Sequence, residues 1–510
     1  MSANSKLKKS RDQWKNKAVS RAGNVRYLNK ELARVKTQRD KLKKQLRQAQ
    51  QALEQVSANT PALISKCDLI WIALQLFGLA RLGFRAISRV LAVLAPMLGI
   101  AKAPCPQTVI NWVTRLSIAR IQHAAETIKA MQSKGWIAIV DASIAMGSGK
   151  LMVLLAIRAD HYQYFCAAPT LQTVSCLGVS VAVSWTGQSV AQMLESIIDV
   201  VGRPVAVIKD GGTDLAKAMR LLIQQGLDIH SIDDLSHVVA NLLKHQYQNH
   251  PMFATFLSAC AKASKRFKQT ILACLAPPKV STKARFMNLH RLVVWADRIL
   301  RHSPTGRAAN GSLVQRLRDC FDQLPQCKAF IAQFLRDAGV LLQCQQILKA
   351  KGLSIDTFEQ CLALLQQIPS NSPVYKGFLD WMQRHLQIAR ALGLEVIGMP
   401  ISSDILESLF GVLKQLVAGQ IKDVNHIGLK APALCGPMTP QDAQRVLDVS
   451  VDQQKEATGN INSLIRQRCQ ILAHPGKLTD RVLADGDNLE LLPGSKNRSK
   501  IGEIDIISDG

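Results

Sequence analysis

Two carboxylates in this chain stand where an α/β fold can use them. Trp136-Ile-Ala-Ile-Val140 and Val205-Ala-Val-Ile208 are short, continuous apolar runs rich in β-branched residues, the pattern of strands buried on both faces. Asp141 follows the first run directly, and Asp210 follows the second after Lys209. Ligands of open α/β sheets bind beyond the carboxyl ends of the strands, so both acids are placed to hold one. After Asp210, Gly211-Gly212 permits a sharp turn, and Thr213 is a good N-cap for a helix carrying Leu215, Met219, Leu222 and Ile223. Leu227–Ile232 predicts a further strand, closed by Asp233-Asp234. Rival chemistries lack their signatures. Gly147-Ser148-Gly149 reads as a hairpin turn, because no GxxxxGK[ST] accompanies it. The histidines and cysteines show no zinc-ligand spacing and no CxxC pair, and no nucleophile sits with an arginine cluster.

The elements that must position these acids follow from the pattern. Trp136–Val140, Leu151–Ile157 and Thr173–Trp185 predict three strands joined as hairpins. A helix over Ser189–Val201 then leads to the Asp210 strand, its helix and the next strand. From 238 to 395 the chain predicts almost only helices, broken at Pro277-Pro278, Pro304-Thr-Gly306 and Ser370–Pro373. Beyond Pro400, Ile401 to Lys414 reads as one more helix, with Ser402 or Ser403 as its cap and Glu407 and Lys414 two turns apart on one face. Residues 431–480 predict further helices, and the mildly acidic tail from Thr479 predicts disorder.

The chain has 510 residues and a formal net charge of +27, enough length for three or four structural units and a charge that favours a polyanion partner, nucleic acid first. The first fifty residues hold 16 Lys/Arg against 3 Asp/Glu. Apolar residues at 28, 32, 35, 42, 46, 49, 53 and 56 keep a heptad that only Arg39 breaks. Residues 1–57 therefore predict a basic, two-stranded coiled coil, hence a homodimer or higher oligomer; a single solvated helix is the other reading. Residues 58–128 predict a helical DNA-binding domain with a helix-turn-helix. In it Gln107, Asn111 and Arg115 share the polar face of a recognition helix, Val109, Trp112 and Val113 lie inward, and Arg85 and Arg89 ride on the preceding amphipathic helix. An ordinary helical subdomain is the alternative. The scattered cysteines read as reduced core residues of a cytoplasmic protein. No apolar run is long enough for a membrane span, so no membrane is expected. Asp160, Asp199 and Asp214 read as surface residues.

Here the residues carry a family. Asp141 and Asp210, with Glu407 on a later helix, resemble the three acids of DDE transposases, such as those of bacterial insertion sequences. The resemblance implies an α/β ribonuclease-H-like catalytic core, a mixed sheet whose first three strands are hairpins. The first Asp then follows strand one, the second follows strand four, and the Glu lies beyond strand five. It covers 129–250 as the first part of the core and 396–430 as the Glu-bearing helix. Residues 251–395 become a large all-α insertion, and 431–510 a helical C-terminal region with an acidic tail. Lys414, seven residues after Glu407, matches a basic residue of many relatives, and Asp234-Leu-Ser-His237 resembles an auxiliary element of members with an insertion.

The implied function is metal-dependent strand cleavage and strand transfer at transposon ends. Mg²⁺, with Mn²⁺ as a substitute, would be held by Asp141, Asp210 and Glu407. Such hard cations take carboxylates, water and phosphate oxygens, and two of them roughly 3.5–4 Å apart serve in-line phosphoryl displacement. The implied partners are double-stranded DNA, both ends and target, in a nucleoid-associated bacterial setting. The alternatives are a ribonuclease-H-like nuclease without strand transfer and a catalytically inactive, transposase-derived DNA-binding protein. Each acid also has a plainer reading. Asp210 can hydrogen-bond its turn, Asp141 can cap one, Asp404 can replace Glu407, and Asp234 can be an N-cap with His237 a satisfied core residue.

Overall fold

The computed structural model describes residues 29–45, 64–100, 102–130, 135–146, 149–268, 270–279, 285–302, 306–416, 424–458 and 489–493, with positions 23 and 48. Two compact units divide the chain: Met1–Leu69 with Ser88–Pro104, and Ile70–Ile87 with Cys105–Gly510. In the first, residues 29–45 are helical and leave Leu32, Val35 and Leu42 exposed; the rest of the predicted coiled coil lies outside the described residues. The candidate site belongs wholly to the second.

That unit is built on a six-stranded sheet of order β5-β4-β1-β2-β3-β6. β1 (Trp136–Met146), β2 (Gly149–Arg158) and β3 (Ser175–Ala182) form an antiparallel meander. β4 (Ala206–Lys209) and β5 (His230–Asp233) run parallel to β1 on its other edge. This mixed sheet with mostly helical surroundings is compatible with the ribonuclease-H-like core and helical insertion expected. Alternation along the strands divides the faces. Ala138, Val140, Met152, Leu154 and Val207 pack with Val190, Leu194, Ile197, Met219 and Leu222 of the helices Gly187–Val201 and Thr213–Gln224. Ile137 and Ile139 point to the opposite face, and the helix Asp404–Leu416 packs against β1.

Three expectations need correction. β1 does not end at Val140 but continues to Met146, because β2 goes on pairing with it past the point where β4 stops. The predicted tail disorder fails at 489–493: Glu490–Leu491 form β6 on the β3 edge, with Leu489, Leu491 and Leu492 buried. Asp160 is not a surface residue but is 8% exposed and bound bidentately by Arg158, at 2.8 Å to each oxygen.

The insertion leaves and returns at one place. The Leu235 amide donates to the Ile401 carbonyl at 3.1 Å, so some 165 residues loop out from the end of β5 and come back beside it. Leu353 and Met399 exchange backbone hydrogen bonds at 2.9 Å just before the return. Gly398, at φ +94°, lies so near the Lys351 carbonyl that no side chain fits. Within the insertion Tyr247, Phe256, Phe330 and Phe334 pack as one aromatic core, and the Tyr247 hydroxyl donates to Asp337 at 2.6 Å.

Candidate active site

Parallel pairing brings the first two acids together. Val140 is in register with Lys209, so the next residues, Asp141 and Asp210, lie side by side at a spacing of roughly 4.8 Å between neighbouring strands. The alternation that puts Val140 and Lys209 on one face turns both acids to the other, where the Asp404–Leu416 helix packs. Both are half-buried. Asp210 folds back to accept the Gly212 amide at 2.9 Å. A Cβ on Gly212 would stand 2.8 Å from that carboxylate, so the glycine keeps room for the acid. Gly212 itself is the N-cap residue of the following helix, and Thr213 is its first residue, not its cap.

Beside Asp210, Lys209 is buried and donates to Asp233 of β5 at 2.6 Å. The Asp233 amide donates in turn to Nε2 of His385 at 3.0 Å. His385, whose Nδ1 lies 2.8 Å from the Trp381 carbonyl, is held neutral by burial, which pushes it below its ordinary value. The helix Pro373–Ala391 thereby caps the last amide of the edge strand β5.

Asp234 and His237 form the second layer. Asp234 is 1% exposed and accepts three hydrogen bonds: from the His237 amide at 2.9 Å, His237 Nδ1 at 3.0 Å and the Ser403 amide at 2.6 Å. It is therefore both the N-cap of Leu235–Tyr247 and the post to which the Glu407 helix is tied. Burial alone would raise it, but the His237 and Ser403 bonds hold its carboxyl below the ordinary range. His237 is pushed up to about 9, first by its bond to Asp234 and further by the charges of Asp210 and Asp141. At neutral pH it is an imidazolium whose Nδ1 is committed to Asp234 and whose Nε2 has no hydrogen-bond partner among the described residues.

On the Asp404–Leu416 helix the two acids divide the work. Asp404 accepts from Ser236 Oγ at 2.9 Å and pairs with Lys349 at 2.5 Å, and Lys349 also donates to Ser236 at 2.7 Å. Asp404 is thus neutralised by the insertion. Glu407 is exposed and makes no hydrogen bond or ion pair with a described residue. Its covered part raises its carboxyl above the ordinary value, with Asp404 and Asp234 adding to the rise. Burial, and then Asp210, push Asp141 up to about 6, while His237 opposes the rise and Glu407 adds to it. Asp141 therefore feels the charges of Asp210, His237 and Glu407. Among the described residues, however, no three His, Cys, Asp or Glu side chains converge tightly enough to hold a metal ion as they stand.

The other predicted site residues fall outside this cluster. Lys414 is exposed, two turns along the same helix. Arg85 and Arg89 are exposed on Phe84–Leu94. The proposed reading helix runs much further than expected, over Pro106–Ala130, with Val109, Trp112 and Val113 buried as predicted. Gln107 is exposed, but Asn111 and Arg115 are already bonded to Gln454 of the helix Val451–Thr458, at 3.1 Å and 2.7 Å. Gln107 bonds to Asn111 at 3.1 Å. Sequence reasoning missed Lys209, Ser236, Lys349 and His385. Only Lys209 carried a local signal, a lysine inside an apolar strand, which demands an acid beside it.

No family model matches the chain, and no curated protein matches it. Among solved structures it is similar to the Drosophila P element transposase strand transfer complex, at 11% identity and a TM-score of 0.39, over 80% of this chain and 99% of that one.

Proposed function

We propose that this chain is a DNA transposase that cleaves and joins strands by phosphoryl transfer at Asp141, Asp210 and Glu407. The observation that supports this reading most is the meeting of Asp141 and Asp210 on adjacent parallel strands, where burial first and then Asp210 push Asp141 up to about 6 although His237 opposes the rise. Two half-buried carboxylates in mutual repulsion are relieved by a proton held on one of them or by a bound cation. The donors are all hard oxygens, which fits Mg²⁺ or Mn²⁺. Asp141 and Asp210 would hold it, with Glu407 as the third ligand. When bound, the ion polarises phosphate oxygens and makes water or a 3′-hydroxyl a stronger nucleophile.

The chain's own residues do the rest. Asp234 fixes the orientation of His237 and the start of the Glu407 helix through hydrogen bonds at 2.6–3.0 Å. The His237 imidazolium keeps its Nε2–H for a phosphate oxygen. Lys349 draws Asp404 away from the site, so that Glu407 is the carboxylate left to face it.

The test is incubation with DNA carrying the sequences that flank the gene, with Mg²⁺ or Mn²⁺ and then with chelator. Cleavage followed by joining of the new 3′-ends supports the reading. Cleavage without joining reduces it to a nuclease, and metal-independent activity overturns it.

A further inference from the structure

The positive charge of this chain is not spread over it. Residues 251–320 hold 13 Lys/Arg against 2 Asp/Glu, a net +11 of the chain's +27. The first fifty residues hold 16 against 3, another +13, so everything else is close to neutral. In the insertion the charge sits on one small helical lobe. Its helices Pro251–Phe267, Arg285–Arg301 and Leu313–Cys320 share ring contacts of Phe267 and Trp295 with Phe321, at 5.3 and 5.7 Å.

On the first of these helices Phe253, Phe256, Ala263 and Phe267 are buried, while Lys262 and Lys265 project from the other side and Lys268 follows at the C-cap. Lys279, Arg291 and Arg316 are exposed as well. None of these six makes an ion pair with a described carboxylate. Arg301, by contrast, is paired with Asp297 at 2.8 Å. A fold that needed this charge only for solubility would intersperse it with acids. A one-signed exposed surface repels itself and persists where a polyanion covers it.

We infer that this lobe of the insertion is a second nucleic-acid surface, and that it grips the backbone of duplex DNA without reading its sequence. The choice of DNA among polyanions rests on the proposed transposase reading. The choice of duplex rests on the lobe itself. Its rings are turned inward, and among the described residues it exposes no large aromatic side chain, whereas proteins that hold single strands stack bases on exposed rings. The exposed groups named here are mostly lysine heads, which suit phosphates as point charges.

The experiment uses the full chain with Lys262, Lys265, Lys268 and Lys279 all changed to Gln, and a second variant with the same four changed to Arg. Both are titrated by fluorescence anisotropy with random-sequence duplex DNA between 50 and 200 mM salt. Losing four phosphate contacts should lower the slope of log K against log salt by roughly 0.9 per contact, about 3.6 in all. Over that fourfold salt range the parent should then lose about 10²-fold more affinity than the Gln variant. The Arg variant should bind as the parent does. The titrations are run in chelator, where the proposed catalytic site is inactive, which separates failure of this surface from failure of the catalytic reading. An unchanged slope in the Gln variant overturns the inference. So does loss of binding in the Arg variant, or a Gln variant that loses only single-stranded DNA or anionic vesicles and keeps the duplex.

Discussion

Asp234→Ala should cost about 5 kcal/mol of stability, a figure that follows from its partners. The carboxylate is 1% exposed and takes three donors. The rise of His237 from 6.5 to about 9, at about 1.4 kcal/mol per pH unit, bounds the ring's share at about 3 kcal/mol. The ring keeps 30% of its side chain in solvent, so screening reduces that share to about half. Loss of the N-cap adds about 1 kcal/mol. The Ser403 amide loses a charge-assisted bond worth roughly 1.5–3 kcal/mol. Together these contributions come to about 4–6 kcal/mol, at and slightly above the upper part of the roughly 3–5 kcal/mol expected for breaking a buried pair. Asp234→Asn keeps an acceptor for the cap and loses only the charge, so it should cost about 1–2 kcal/mol. Urea unfolding followed by tryptophan fluorescence gives the two stabilities, and histidine-selective NMR gives the titration of His237, which should fall back toward 6.5 in the Asn variant. An unchanged midpoint in the Ala variant, or a His237 that still titrates near 9 without Asp234, would refute the reasoning.

The same pair sets a pH window. His237 is raised from 6.5 to about 9, so its contribution is complete below 6.5 and is lost as pH rises through about 9; Asp234 is lowered, so its contribution is present above its ordinary value and lost as pH falls below it. Unfolding of the parent minus that of His237→Gln, measured from pH 4 to 10, should be largest between those limits, and a flat difference would remove the linkage. Arg120, 8% exposed, donates to Asp442 at 2.8 Å and to the Ala433 and Pro437 carbonyls at 3.1 Å. Arg120→Met should therefore destabilise by about 3 kcal/mol, the lower end because Arg445 still pairs with Asp442 at 3.0 Å; thermal unfolding checks it. Deleting residues 1–57 should weaken self-association, since Leu32, Val35 and Leu42 keep the heptad and are exposed on the helix over 29–45. Light scattering that finds both forms in one oligomeric state would count against a coiled coil.

Much of the sheet was legible because buried strands announce themselves. Ile137–Val140 and Val205–Ile208 are unbroken apolar runs, and the parallel pairing that joins them makes Asp141 and Asp210 neighbours without further information. The end of β1 was not legible. Asp141 interrupts the apolar run, yet the strand continues because β2 pairs with it on the far side. β6 was lost in a charged, glycine-containing tail, although Leu489, Leu491 and Leu492 carried a faint apolar signal. The supports of the site were out of reach for a different reason. His385 lies 152 residues from Asp233, and Lys349 lies 113 from Ser236; no local pattern ties residues so far apart. The reading helix shows the opposite error, a polar stripe that looked free in sequence but is partly bonded to Gln454 in the fold.

The most direct measurement is single-turnover cleavage and joining by Asp210→Asn on DNA bearing the gene's flanking sequences, with duplex binding followed in parallel. The substitution keeps the shape of the side chain and its acceptor for Gly212, and it removes one of the two adjacent charges. The account predicts a rate lower by at least about 10²–10³-fold, the scale for removing one preorganised electrostatic group, with binding unchanged. It also predicts that Asp141→Asn, Glu407→Gln and the double variants lose little more, because such a site acts as a unit. Full activity in Asp210→Asn would contradict it.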